Sequence, residues 1–302
     1  MLTPALDLGG TLIKGALVDP SGGIVHRATC PTGAADGHLA VVGRVAELGR
    51  ELLAEAADRN RQAAPALGVS IPGLVDVGRG LALKAANLDW EDFPVRAALA
   101  ERVGAQVEIC HDVAGAAWAE HKLGAARGAE VAVVVVIGTG LAGALINRDQ
   151  AVVGAHGLVI EAGHLPLAWS DEVCGCGGGG CVERVASASA LVARYTRLAG
   201  AEAGLDAKEV VRRAQTGDAA ARQVWSEAVR ALGDCLATLV TVLDPDRIVV
   251  GGGLAQAGET LLAPVRARLS QCLRPFQTMP EVVQAKLGSD AGVIGAALAA
   301  GL

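Results

Sequence analysis

His164 and three cysteines, Cys174, Cys176 and Cys181, stand in the pattern His followed by C-x-C-G-x-x-G-C. Three soft thiolates and one imidazole make a Cys3His set, which closes a tetrahedral zinc site and leaves no open position. Such an ion is structural: it organises a loop instead of activating water, and the intervening glycines let that loop wrap tightly. The other reading of these residues is a reduced surface thiol cluster. Carboxylates flank the loop, Glu161 three residues before His164 and Glu183 two residues after Cys181. A folded loop carries both toward one place, although each alone also suits a solvated surface.

A second chemistry is written in glycine. Residues 10–19 align without gaps to residues 138–147, with Gly, Thr, Gly, Ala and Leu recurring at the same offsets. Each copy reads as a strand, a Gly-Thr turn and a strand. Glycine lets a phosphate approach the backbone N–H groups with no Cβ in the way, and Thr adds a hydroxyl donor. Two such turns, around Gly9, Gly10 and Thr11 and around Gly138, Thr139 and Gly140, suit a polyphosphate. Asp7, just before the first turn, is placed to hold Mg²⁺ through its waters. A third turn, Gly251-Gly252-Gly253, follows a strand, and serves either as a tight strand-to-helix connection or as a flat surface for a nucleoside. No P-loop sequence and no G-x-G-x-x-G after the first strand is present, so neither a Walker site nor a Rossmann dinucleotide site is indicated. Asp112 stands where a helix N-cap would, and a carboxylate there can equally serve as a general base.

The elements that must position these groups alternate along the chain. Residues 5–8 and 12–18 read as a hairpin, 38–61 as an amphipathic helix, 67–71 and 106–110 as strands, and 112–124 as an Ala-rich helix. Residues 131–137, VAVVVVI, have the near-continuous β-branched character of a strand buried on both faces. A long helix over 219–243, a strand over 247–250, a helix through 269 and a small-residue helix over 290–302 complete an α/β class. The duplicated turn implies two related domains.

Taken together, these motifs resemble the ROK family of repressors and sugar kinases, to which many bacterial glucokinases belong. The resemblance spans nearly the whole chain: D-x-G-G-T from Asp7, the second turn from Gly138, E-x-G-H from Glu161, the cysteine motif through Glu183, and the late Gly251–Gly252 pair. It implies a duplicated actin/hexokinase-like (ribonuclease H-like) fold of two α/β domains, residues 1–113 with 289–302 and residues 114–288 with the zinc loop, and a cleft where ATP and sugar meet. Carried over by position, Asp7, Gly9, Gly10 and Thr11 match the first phosphate and metal motif, Gly138, Thr139 and Gly140 the second, and Gly251 and Gly252 the nucleoside motif. Asp112 matches the catalytic base. Glu161, His164 and Glu183 match sugar-hydroxyl ligands, His164 also a zinc ligand, and Gly73 and Asn87 lie where family members approach the sugar. The family's usual Asn-Asp-x-Asn is here His111-Asp112-Val113-Ala114, so His111 takes the place of a sugar-binding Asn with different donor geometry. Val159 and Ile160 stand where the family has small residues.

The expected activity is therefore an ATP-dependent, Mg²⁺-requiring hexose kinase acting on glucose at its 6-OH. The competing expectations are a catalytically weakened sugar-binding or regulatory protein and a kinase for N-acetylmannosamine, allose or fructose. Four Trp, two Phe and one Tyr against 40 Gly leave little for base stacking, and a net charge of −6 offers no footprint for nucleic acid or an anionic membrane. A start six residues before Asp7, with no basic leader, points away from a helix-turn-helix regulator and toward the cytoplasm. The resemblance further implies a homodimer or higher homo-oligomer.

Overall fold

The computed structural model describes residues 1–59, 64, 66–200 and 204–302. They pack as two compact units, residues 1–123 with 153–158 and 289–302, and residues 124–152 with 159–288.

The first unit begins with β1 (Thr3–Leu8), β2 (Leu12–Val18) and β3 (Ile24–Pro31), followed by α1 (His38–Asp58) and β4 (Ala66–Ile71). A small antiparallel sheet, β5 (Leu74–Asp76), β6 (Leu81–Ala85) and β7 (Trp90–Phe93), precedes α2 (Val95–Val103), β8 (Gln106–His111) and α3 (Asp112–Leu123). The helix expected over 38–61 is thus α1, with residues 60–61 outside the described residues. The second unit holds β9 (Val131–Ile137), β10 (Leu141–Asn147), β11 (Gln150–Val152), α4 (Glu183–Ala186), α5 (Ala188–Ala199), α6 (Ala207–Gln215), α7 (Ala219–Leu243), β12 (Arg247–Gly251), α8 (Glu259–Cys272) and β13 (Glu281–Gln284). The chain then returns to the first unit as α9 (Ala291–Ala299).

The two main sheets have the same plan. One runs β3-β2-β1-β4-β8 and the other β11-β10-β9-β12-β13. In each, the first three strands are antiparallel and the last two join in parallel. The repeat seen in the sequence is therefore the hairpin at the centre of each sheet. Leu8 pairs with Ile13 across the first turn, and Ile137 with Leu141 across the second, which is one residue tighter.

Each unit has its own aliphatic core. Leu6, Leu17, Leu52, Leu67 and Ile109 are fully buried in the first, and Val133, Leu191, Ile248 and Leu261 in the second. Four consecutive residues of β9, from Ala132 to Val135, are buried, which is why that strand carries no polar face.

The boundary expected at residue 113 falls later. Helix α3 belongs to the first unit because its small face packs on α9: Gly115 and Gly295 meet backbone to backbone, and a Cβ on Gly295 would overlap the Gly115 carbonyl. Residues 153–158 also join the first unit, with Gly157 beside the Val75 carbonyl. Close approach of this kind needs residues without bulk, and the Ala/Gly-rich sequence of α9 supplies them.

Candidate active site

In the first unit the hairpin sets Asp7 and its turn. Asp7 pairs directly with Lys14 of β2, whose Nζ lies 4.0 Å from Asp7 Oδ2. The Ser70 hydroxyl donates to Asp7 Oδ1 at 3.0 Å from the neighbouring β4. Beyond it, Gly292 in the first turn of α9 has no room for a side chain, since a Cβ there would stand 2.7 Å from the Asp7 carboxylate. The Gly9–Thr11 turn is held from outside by Thr32, fully buried, whose N–H donates to Thr11 O at 2.9 Å and whose hydroxyl donates to Gly9 O at 2.6 Å. The Asn87 side chain lies over Gly10, 3.7 Å from where a Cβ would be. Gly73, at φ +87, turns β4 into β5 where a Cβ would stand 2.3 Å from the Lys84 carbonyl oxygen.

Asp112 opens α3 at the end of β8. The expected N-cap role belongs instead to the residue before it: Ala114 N–H donates to His111 Nδ1 at 3.3 Å. Asp112 Oδ1 accepts from Val113 N–H at 2.7 Å, and His111 Nε2 lies 3.1 Å from the same oxygen. Burial raises the Asp112 carboxyl above the ordinary Asp range, with His111 and the N–H groups of Val113 and Asp112 pulling the other way. Burial also raises Asp7, opposed by the Ser70 hydroxyl and Lys14 and reinforced by the Asp112 charge. Two carboxylates that feel each other, partly withdrawn from water, suit proton and cation handling.

The second unit assembles the remaining groups. The Gly138–Thr139–Gly140 turn is tied to the start of α5, where Ala188 N–H donates to Gly138 O at 2.9 Å and the Ser189 hydroxyl donates to Thr139 O at 2.5 Å. Glu183 Oε2 accepts from Leu141 N–H at 2.8 Å and lies over Gly140. A Cβ on Gly252 (φ +85) would overlap the Ile137 carbonyl, so the third glycine turn, including the end of β12 at Gly251, lies directly against the second. Beside Gly253, a cavity of about 1080 Å³ is lined by Lys208, Arg212, Gln215, Gln256 and Thr260.

The cysteine loop completes this unit. His164, Cys174, Cys176 and Cys181 each offer a ligand atom, all within 4.8 Å of one another. Cys174 Sγ is 3.8 Å from His164 Nδ1, and Cys176 Sγ is 3.6 Å from Cys181 Sγ. These spacings are the edges of a tetrahedron with metal–sulfur arms of ~2.3 Å, so the donor set fits zinc in both chemistry and size. Burial pushes the Cys181 thiol up to about 12, while the Gly178 N–H holds Cys176 below its usual range. A bound dication would favour all three as thiolates. His164 Nε2, on the other edge of the ring, lies 3.9 Å from Glu161 Oε2.

A model of the ROK family matches residues 3–301. The chain belongs to the ROK family. It is 32% identical over 307 residues to the glucokinase of Thermotoga maritima, covering 97% of this chain and 95% of that protein. It is also 32% identical over 301 residues to the N-acetylmannosamine kinase of Escherichia fergusonii, covering 99% and 98%. The crystal structure of a ROK family glucokinase from Streptomyces griseus in complex with glucose and AMPPNP aligns with a TM-score of 0.84, at 30% identity and over 98% of both chains. The fold is accordingly the duplicated actin/hexokinase-like one.

Within this ROK chain, the motifs account for the turns and the carboxylates but miss the groups that brace them. Lys14 was legible, because a hairpin turning over residues 9–12 puts it opposite Asp7. Ser70, Thr32, Lys208 and Arg212 reach their places through tertiary packing, and no local pattern marks them. Ser189 had a signal, since Ser187 caps α5 and fixes where that helix begins.

Ile160, just before Glu161, takes a backbone conformation that favours glycine. It holds φ +58, and a β-branched side chain is strained there. Gly143 N–H donates to its carbonyl at 3.2 Å, and any Cβ at 143 would come within 2.7 Å of Ile160 Cγ2. Ile160→Gly is expected to be more stable than Ile160→Ala by about 1 kcal/mol, since both delete the side chain and only glycine relieves the backbone. Urea midpoints of the two variants check this; equal midpoints would refute the strain.

Proposed function

We propose that this chain, an ATP-dependent sugar kinase, phosphorylates the 6-OH of glucose. What carries the reading is Asp112: a carboxylate at the start of α3 with a raised affinity for protons, oriented by Val113 N–H on Oδ1 and with His111 Nε2 3.1 Å from that oxygen.

The chemistry follows from the groups present. Asp112 accepts the proton of the hydroxyl as that oxygen attacks the γ-phosphate of ATP, and ADP leaves. Phosphoryl transfer asks the protein mainly for positioning and charge neutralisation. In the first unit the turn braced by Thr32 offers backbone N–H groups to phosphate, and Asp7 would hold Mg²⁺, which neutralises phosphate charge when bound. In the second unit the Gly138–Gly140 turn offers a further phosphate cradle. The cavity beside Gly253 has the size for a nucleoside, with Lys208 and Arg212 on its wall. Glu161, His164 and Glu183 serve as sugar-hydroxyl partners, and a zinc ion on His164 and the cysteine loop would hold them in place. Free thiols and ATP both suit the cytoplasm.

N-acetylmannosamine is the second reading for the substrate, favoured by the kinase similarity already described. Coupled measurement of ADP release over glucose, mannose, fructose, allose, glucosamine and N-acetylmannosamine separates them. Glucose is expected to give the highest kcat/KM. Preference for N-acetylmannosamine would move the substrate, and sugar binding without ADP release would overturn the enzyme.

A further inference from the structure

We propose that His111 is a positioning residue for the base: its imidazole is fixed by the helix start and presents Nε2 to Asp112 Oδ1, leaving Oδ2 to receive the substrate proton. The proposal rests on Asp112 being the base.

The ring's orientation is over-determined. Nδ1 accepts from Ala114 N–H at 3.3 Å, as an N-cap side chain accepts from the third residue of its helix. A nitrogen that accepts carries no proton, so the neutral ring has its proton on Nε2. Nε2 is 3.1 Å from Asp112 Oδ1, and Val113 N–H is 2.7 Å from the same oxygen. Val113 N–H donating to this oxygen, with the Nε2 edge of the ring beside it, fixes the rotation of the carboxylate and concentrates charge relief on that side. A side chain of this shape does by two nitrogens what one amide cannot: it caps the helix and touches the carboxylate. An Asn at 111 is long enough for the cap alone.

The neighbours do not supply this contact. Asp7 from β1 and the Cys110 thiol at the end of β8 are the other titratable groups whose charge or burial is linked to Asp112, and both disfavour its ionised form or are disfavoured by it. Ser70 on β4 is committed to Asp7, and α9 brings Gly295 against α3. Among these groups His111 is the one that favours the ionised carboxylate, with its Nε2 3.1 Å from Oδ1.

Three variants separate the roles. His111→Asn keeps the cap and loses the reach to Asp112; His111→Gln restores a polar donor of similar reach without the cap; His111→Ala loses both. The Asp112 carboxyl is followed by ¹³C NMR in protein labelled at the Asp carboxylates, its signal assigned by loss in Asp112→Asn. Its titration is expected to move to higher pH in His111→Asn and His111→Ala and to return toward the parent in His111→Gln. The acid limb of kcat is expected to move the same way, with kcat about tenfold lower in His111→Ala and sugar KM within about twofold. A risen KM with unchanged kcat and unchanged titration would make His111 a sugar ligand and overturn the proposal, as would an unmoved titration in His111→Asn. Because the titration needs no substrate, a parent protein without turnover defeats the kinase reading while the His111–Asp112 contact is still decided.

Discussion

Asp112→Asn is expected to lower kcat by about 10²–10⁴-fold, the usual contribution of a general base, and to leave sugar affinity within a few-fold of the parent. The amide has the shape of the carboxylate, and its carbonyl oxygen can still accept from Val113 N–H, as Oδ1 does now at 2.7 Å. What it cannot do is take a proton. The sign of the stability effect follows from linkage. An Asp whose folded pKa is raised binds protons more tightly in the folded chain than in the unfolded one. Its contribution to stability is present below the unfolded pKa and is lost as pH rises through the folded value, so near neutral pH the ionised carboxylate costs stability. The neutral Asn escapes that cost, and the variant is expected to melt no lower than the parent at pH 7. In the parent, by the same shift, kcat falls with acid at a higher pH than an ordinary Asp would give. ADP-release kinetics, calorimetric titration with sugar and thermal melts read these three effects. An active Asp112→Asn protein would remove Asp112 from the chemistry.

How much of this was legible beforehand differs from element to element for physical reasons. The VAVVVVI run of β9 declares a strand buried on both faces, and the Gly-Thr repeat declares two hairpins; both carry their signal locally. The sheet order common to the two units extends that repeat to the parallel strands, which reach their places through tertiary packing. Strand β3 gave no such signal. Its residues alternate between half-buried and exposed, so its hydrophobic contrast is weak and its pairing with β2 decides its shape. The domain boundary was misread at α3 because the helix follows Asp112 in sequence, whereas its fate is set by Gly115 meeting Gly295 from the far end of the chain. At the site, residue types marked the candidate groups, but orientation came only with tertiary structure. His111 is the clearest instance: the sequence presents it as a substitute sugar ligand, and the fold turns its ring onto the helix start and Asp112.

The cysteine loop carries the other large expected effect, because it reaches the sugar ligands proposed above through one side chain. His164 has Nδ1 toward Cys174 and Nε2 toward Glu161. Ligation at Nδ1 would fix the ring's rotation and leave the proton on Nε2, facing Glu161, as the outer nitrogen of a metal-bound imidazole commonly faces a polar partner. The loop's other end is equally tied: Val182 N–H donates to Leu165 O at 3.0 Å, and Glu183 follows with its hold on Leu141 N–H. Cys181→Ser is therefore expected to lose about one zinc per chain by elemental analysis and to weaken sugar binding by more than about tenfold. Structural zinc contributes ~10–16 kcal/mol to small metal-dependent domains, and even a modest fraction of that is large beside a typical total stability of ~5–15 kcal/mol. The melting temperature of Cys181→Ser, or of the parent stripped by chelator, is accordingly expected to fall by several degrees, and added zinc to restore the stripped parent alone. Cys272→Ser is the matched control. Its thiol, raised by burial and with Sγ 3.5 Å from Asp234 Oδ1, lies in the same unit and outside the ligand cluster, so that variant is expected to keep both zinc and sugar affinity. A Cys181→Ser protein with parental zinc content, or a zinc-free protein with parental sugar affinity, would break the link from loop to site.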